Sequence, residues 1–198
     1  MPKSGRQNPQ VFQQISARIK ELDGVETRAG WFESSKYEDG TSVAEVAAVQ
    51  EFGATIAHPG GTPYKIGPDG RAIFVTKADG AGLPVTQAHT IVIPPRPFMR
   101  PTADREKNNW LTIMYDGAKA IVRGAATGIQ VMDALGSRAA GDIAKSIVAV
   151  TSPPLKPGTI AARRRALTDK ITIGSLDKPL VSSGIMLDTV SHTVGKES

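Results

Sequence analysis

Three histidines, His58, His89 and His192, are the side chains of this sequence best suited to metal binding or proton transfer. A protein metal site needs three or four His, Cys, Asp or Glu ligands, and short spacings along the chain usually supply at least two of them. No two of these histidines stand at such a spacing, because they lie far apart in the chain. The pattern therefore predicts histidines in strands or on the surface, and no metal site.

The motifs of common enzyme classes are also missing. The chain has no cysteine, which excludes disulfides and thiol catalysis. Ser182 and Ser183 lack the preceding glycine of a nucleophile elbow, and the glycines near Gly60 do not form a phosphate loop. Glu45 and Glu51 would point to different faces of one helix, so they do not form an acid/base pair. We expect no enzyme activity and no cofactor; a hydrolase is the most distant alternative.

Three successive arginines, Arg163, Arg164 and Arg165, form the one cationic cluster that could contact phosphate. On a helix, consecutive side chains fan around the axis and cannot form a single stripe. The whole chain carries 24 basic and 19 acidic residues, a net charge of +5. This mixed surface leaves three interpretations open: contact with nucleic acid, a solvated helix face, or a salt bridge between subunits.

A rigid segment, Ile93-Pro-Pro-Arg-Pro-Phe-Met-Arg-Pro101, has the composition of an interaction site. Its prolines restrict the backbone, so Phe98 could anchor in a partner pocket while Arg96 and Arg100 present planar donors to carboxylates. The alternative is that Phe98 covers the chain's own core and the prolines only begin the following helix. The sequence leaves both open.

The elements that would carry these residues follow from capping, periodicity and turn signals. Apolar spacing predicts helices at 9–23 and 42–52 and a strand that begins at Val25. The stretch 102–150, with Thr102 as its cap, predicts one long kinked helix or two helices in series. The tail predicts a short basic helix at 159–167, a short helix at 184–187, and a strand at 189–194.

Between the second helix and the proline segment, residues 54–92 are rich in Pro and Gly, and we expect them to form an extended arm. Two short β-like pieces, 64–66 and 72–76, flank a turn and predict a hairpin on this arm. A loop of this length is usually either a binding arm or disordered, and the β-branched pairs Ile73/Val75 and Ile91/Ile93 favour an ordered arm. The sequence predicts that the arm contacts a neighbouring subunit.

Four segments in a fixed order resemble the tail-completion or neck proteins of tailed bacteriophages. They are AAVQEFGA, then IPPRPFMRPT, then SPPLKPGTIAARR after a helical middle, and finally KPLVSSGIMLDTVSHTV. The resemblance covers roughly residues 42–194. The chain departs from the family pattern in having Ser183-Gly184 where Thr-Gly is usual, and its arm is longer than in many members.

The resemblance implies a structural virion protein. Its subunits would form a homo-oligomeric ring in the phage neck, in contact with the head-side connector or adaptor and with the tail tube or tail terminator. Such a protein is made in the bacterial cytoplasm and ends in the virion, where packaged DNA could contact it. Glu51, Phe52, Arg96, Phe98 and Arg100 are then expected at a subunit or partner interface. The alternatives are a tail-tube terminator or other minor tail protein, and a DNA-binding accessory protein.

The expected architecture is a single α+β domain spanning residues 1–198. A small antiparallel sheet packs on the long kinked helix, and the hairpin arm projects from it. The sheet is expected to combine the Val25 strand, the extended piece before Pro94, and the strand that begins at Thr189. The sequence contains no run of about 18 apolar residues and no signal-peptide pattern at its start, so neither a membrane span nor secretion is expected.

Overall fold

The α+β class is confirmed by a computed structural model, which describes residues 9–68, 70–165 and 176–196, with the side chain of Arg165 outside the description. Its helices and strands follow in chain order: α1 Pro9–Lys20, β1 Val25–Gly30, α2 Val43–Phe52, β2 Ala54–His58, β3 Tyr64–Ile66, β4 Ala72–Phe74, β5 His89–Ile93, α3 Met99–Arg123, α4 Gly128–Ala149, α5 Pro157–Arg165, α6 Ile185–Asp188 and β6 Ser191–Lys196. Within the described residues, no helix is both long enough and apolar enough to cross a bilayer.

The predicted long helical stretch is two helices in series. Gly124 ends α3 in the left-handed conformation, with φ of 73°, and its N–H donates to the carbonyls near the end of the helix. Thr127 then begins α4 with a capping box, in which its side chain and that of Gln130 each bond the other's backbone N–H. Both helix ends are therefore satisfied locally, which makes the break a stable feature.

The start of α3 differs from the prediction. The helix begins at Met99, one turn before the expected cap Thr102. Thr102 is fully buried inside the first turn, and its hydroxyl donates to the carbonyl of Phe98 at 2.6 Å. A residue distant in the sequence supplies the cap instead, as described below.

The two terminal strands form one antiparallel pair, from Val25 opposite Lys196 to Gly30 opposite Ser191. This pair packs on α4, as predicted for these two strands. A Cβ atom at Gly136 would overlap Thr27 Oγ1 and the His192 ring, so the close approach of α4 requires glycine there.

The prediction that this sheet has a third strand is wrong. The piece before Pro94 is β5, and it pairs with β2, from Ala54 opposite Ile93 to His58 opposite His89. No strand was predicted at β2. A strand pair of this kind depends on where the chain returns, which local sequence does not specify.

The arm, defined here as residues 54–93, consists of two strand pairs in series. The β2–β5 ribbon forms its base, and the predicted β3–β4 hairpin, which we call the outer hairpin, follows with Tyr64 opposite Phe74. A bridge between Pro63 and Val85 connects the two pairs. None of the described arm residues belongs to the buried hydrophobic core.

The core lies between α2, α4, α6 and the start of α3. Its buried members are Val43, Ala47, Phe98, Ile143, Ile147, Leu180 and Met186. The arm therefore leaves and returns beside a core to which it adds no side chain.

Candidate functional site

Glu51, the penultimate residue of α2, caps the N-terminus of α3. Its carboxylate accepts from the backbone N–H groups of Phe98 at 2.7 Å, Met99 at 2.9 Å and Arg100 at 3.1 Å. Phe98, at the N-cap position, makes no side-chain cap of its own. The first N–H groups of a helix have no partner within the helix, and a negative charge there also opposes the positive end of the helix dipole. The Glu51 carboxylate supplies both the hydrogen-bond acceptor and the negative charge.

The burial of Glu51 is compensated by these donors. The residue is 3% exposed. Burial alone raises the pKa of Glu51, but the N–H groups of Met99 and Phe98, together with the side chain and N–H of Arg100, outweigh it and leave the pKa below its ordinary value. Because both carboxylate oxygens are occupied by donors, Glu51 is a structural anion and is poorly placed to transfer protons.

Two features require glycine at position 53, directly after α2. Gly53 has φ of 76°, and a Cβ atom there would lie 2.9 Å from the carbonyl oxygen of Ile93 and 3.0 Å from the nitrogen of Pro95. The returning end of the arm thus passes directly against the point where the outgoing end begins. Glu-Phe-Gly therefore combines a distant helix cap with a tight change of chain direction.

Arg96 joins the end of α2 to the segment that follows α4. Its backbone N–H donates to the Gln50 carbonyl at 2.6 Å, and its Nε donates to the Pro153 carbonyl at 2.9 Å. Desolvation lowers the pKa of Arg96, which is only 7% exposed. The prediction that Arg96 presents its guanidinium to a partner is therefore wrong, because internal carbonyls hold it.

Phe98 packs inside the chain. Its side chain has no exposed surface and meets Trp31 edge to face, with ring centroids 5.7 Å apart. Trp31 Nε1 in turn donates to the Met186 carbonyl at 2.9 Å. Of the two interpretations of Phe98, the structure supports the one in which Phe98 covers the chain's own core. Because Phe98 is buried, it cannot anchor in a partner's pocket.

Arg100 and Phe52 are the two members of the predicted interface set that lie on the surface. Arg100 Nε contacts Glu51 Oε1 at 2.9 Å, and its guanidinium carbon stands 4.9 Å from the centroid of the Phe52 ring. The Arg100 side chain is 61% exposed, and Phe52 is 65% exposed. All five predicted residues thus meet in one place, three inside and two outside. We call Glu51, Arg96, Phe98 and Arg100 the Glu51 clasp.

Beside the clasp lies an apolar groove of about 650 Å³. Its lining includes Trp31, Phe32, Ala44, Ala48 and Phe52, and we call it the aromatic groove. It is bordered by the end of β1, by α2 and by the first turn of α3. A cavity of this size and lining is suited to a small ligand or to a few apolar side chains.

Arg163 stabilises the C-terminal segment from inside. Its guanidinium donates to the carbonyls of Lys178 at 2.6 Å and Pro179 at 3.1 Å, with longer bonds to Leu176 and Val181. Desolvation, and to a smaller extent the nearby charge of Arg96, lowers the pKa of Arg163. The phosphate-contact prediction is therefore wrong for Arg163. Arg164 is exposed, and the side chain of Arg165 lies outside the described residues.

Two histidines that are distant in the sequence meet on the arm. His58 and His89 are opposite each other, with their rings stacked at 4.9 Å between centroids. His58 Nδ1 accepts from the Gly60 N–H, and His89 Nδ1 donates to the Gln87 carbonyl. Among the residues the structure describes, no three potential metal ligands cluster here or elsewhere.

The chain matches no protein-family model, no curated protein and no solved structure. The interpretation of the site therefore depends on its own geometry. That geometry links the segments on which the resemblance was based: Glu51 to the Pro-Arg-Pro-Phe segment, Arg96 to Pro153, and Arg163 to the Lys178–Val181 segment. Sequence reasoning missed Trp31 and Gln50, because their partners lie 155 and 46 residues away.

Proposed function

We propose that this protein is a structural subunit of a tailed-bacteriophage neck, assembling as a ring that joins the head-side connector to the tail and completes tail assembly. The observation that carries the proposal is the Glu51 clasp. The segments that resemble neck proteins hold one another by hydrogen bonds and shared burial, so their succession has a structural reason that requires no active site.

The exposed arm supports an assembly role. Large apolar side chains of the arm are exposed to solvent, namely Ile56, Ile66, Ile73, Phe74, Val85, Ile91 and Val92. Exposed apolar patches commonly mark contacts with other proteins. In a ring, each subunit would cover its neighbour's exposed apolar surface, and many modest contacts around an axis would add to a stable particle.

Electron microscopy and native mass spectrometry of the purified full-length chain test the proposal. We expect closed rings of uniform subunit number, and we expect these rings to bind phage heads that carry a connector. Rings that bind only isolated tails would instead identify a tail terminator. A chain that stays monomeric at high concentration and binds neither heads nor tails contradicts the proposal.

A further inference from the structure

The outer hairpin of the arm carries three apolar side chains that are exposed to solvent in the described chain. Ile66 is 61% exposed, Ile73 is 44% exposed and Phe74 is 62% exposed. A lone two-stranded hairpin is marginally stable in water, and this one makes no extensive contact with a helix of the described chain. Covering these side chains would both stabilise the hairpin and remove apolar area from water.

The aromatic groove is an apolar surface of matching kind, left open in the same chain. Phe52 and Ala48 are exposed along it, whereas Ala47 and Phe98 form a buried floor. Its volume of about 650 Å³ is enough for a few large side chains. Ile66 and Phe74, on one face of the outer hairpin, have the right chemistry to fill it.

The arm holds the hairpin away from the groove of its own chain. The arm begins at Ala54, two residues after the groove residue Phe52, and the base ribbon then runs through five paired residues on each strand. Five residues of strand span about 17 Å. The bridge from Pro63 to Val85 continues the pairing toward the hairpin. Folding back would break this ladder, whereas a neighbouring copy can be reached without breaking it.

The unpaired charges at the two surfaces are opposite. Lys65 on β3 and Glu33 at the groove have no ion-pair partner within the described residues. The two arginines at the groove, Arg28 and Arg100, are already paired with Glu26 and Glu51. Lys65 lies on the hairpin face opposite Ile66 and Phe74, so an ion pair with the unmatched carboxylate of Glu33 would form at the rim of the groove, which favours one docking orientation.

We infer that the outer hairpin of one copy seats in the aromatic groove of the next copy, with Ile66 and Phe74, which share one face of the hairpin, as the inserted side chains. This inference rests on the proposed ring and names the contact that would close it. The contact is head to tail, because hairpin and groove are different surfaces, and such contacts generate a ring when the rotation closes.

Disulfide trapping tests this contact directly, because the chain has no cysteine of its own. Phe74→Cys and Ala48→Cys variants of different tag length are mixed and oxidised mildly, and mixed dimers are identified by size. We expect at least ten times more mixed dimer than with Leu111→Cys in place of Phe74→Cys, since Leu111 is 65% exposed on α3 away from the hairpin.

Charge reversal provides a second measurement. Lys65→Glu and Glu33→Lys are each expected to lower the fraction of chain in rings several-fold, and the double reversal is expected to restore it. Rings that form without the Phe74–Ala48 crosslink, and that tolerate both single reversals, overturn this inference and leave the proposed function intact. A chain that forms no rings at all overturns both.

Discussion

The Glu51 clasp and the arm are adjacent in the chain and opposite in construction. In the clasp, buried charges meet buried donors, and one aromatic ring has no exposed surface. In the arm, strands pair mainly with each other, and large apolar side chains face solvent. The clasp connects α2, α3 and the segment after α4, whereas the strands of the arm pair with each other.

This difference shows that the composition of a segment does not by itself indicate whether the segment is buried or exposed. A segment rich in Arg, Pro and Phe suggests an interface, yet here Arg96 and Phe98 serve the interior. The arm, rich in Gly and Pro, presents several exposed apolar side chains instead. Surface chemistry is therefore better judged from exposure than from residue type, and the predictions below test each side of this contrast.

The largest expected effect on stability comes from the aromatic side chain of Phe98 in the clasp. Phe98→Ala should lower the free energy of unfolding by about 3–5 kcal/mol, because it removes a fully buried aromatic side chain. Phe52→Ala, one residue from Glu51 but exposed, should change it by less than about 0.5 kcal/mol. Urea denaturation of the two variants measures both values. Equal losses of unfolding free energy in the two variants would show that burial of Phe98 in the clasp does not stabilise the fold more than the exposed Phe52 does.

The helix cap should produce the next largest loss. Glu51→Gln leaves one oxygen to serve three N–H groups and Arg100, so we expect about 2 kcal/mol of destabilisation. The matched control is Glu45→Gln on the same helix, where we expect no more than about 0.5 kcal/mol. If the Glu51→Gln variant unfolds at the same temperature as the wild type, the cap makes no measurable contribution to stability.

The same variant should reveal a pH dependence. Because the pKa of Glu51 is lower in the folded chain than its ordinary value of 4.5, the unfolded chain binds the proton first as the pH falls. The stability that depends on this carboxylate is complete above pH 4.5 and is lost below it. The difference in stability between wild type and Glu51→Gln should therefore shrink in acid. A difference that stays constant to low pH would contradict the cap.

Two adjacent arginines should differ in their contribution to stability, because Arg163 bonds internal carbonyls and Arg164 is exposed. Arg163→Gln should cost about 1–3 kcal/mol, because several carbonyls lose their donor. Arg164→Gln, at an exposed position, should be close to neutral. Thermal melting separates the two, and retention on DNA at several salt concentrations provides the counter-test. Weaker DNA binding with unchanged stability in the Arg163 variant would restore its phosphate role.

The smallest effect on the isolated subunit should come from removing most of the arm. Replacing residues 59–88 by Asn-Gly joins the paired ends His58 and His89 through a two-residue turn. Because the removed residues add nothing to the hydrophobic core, we expect stability within about 1 kcal/mol of wild type. Ring formation should be lost. A variant that melts far below wild type, or that still forms rings, would break the contrast between the two regions.

The elements predicted from sequence were those whose signals are local. Ser42 before α2, the turn in the outer hairpin and the break between α3 and α4 all depend on neighbours within a few residues. The β2–β5 ribbon was missed because pairing Ala54 with Ile93 requires knowing that the chain returns there. Local patterns do not contain that information.

The candidate site was predicted as a set of residues but not as a set of roles. Glu51, Arg96 and Phe98 were identified by motif, and the structure does bring them together. The interior positions of Glu51 and Arg96 were not predicted, because a cap from a distant residue leaves no local trace at Glu51. For Phe98, the interior position was one of the two interpretations that the sequence left open. The same cap explains why α3 begins at Met99 although Thr102 is the better local signal.

The arm leaves the fold at Ala54 and re-enters it at Ile93, two residues that are directly paired. An insertion whose ends already touch can change length at small thermodynamic cost, since doubling a flexible loop adds only about 0.6 kcal/mol of closure entropy. Residues can therefore be gained or lost between these two positions while Gly53 and Pro95 keep their contact. The reach of the arm is in this sense an independent variable, which evolution or an engineer can adjust to the spacing of a partner without rebuilding the rest of the chain.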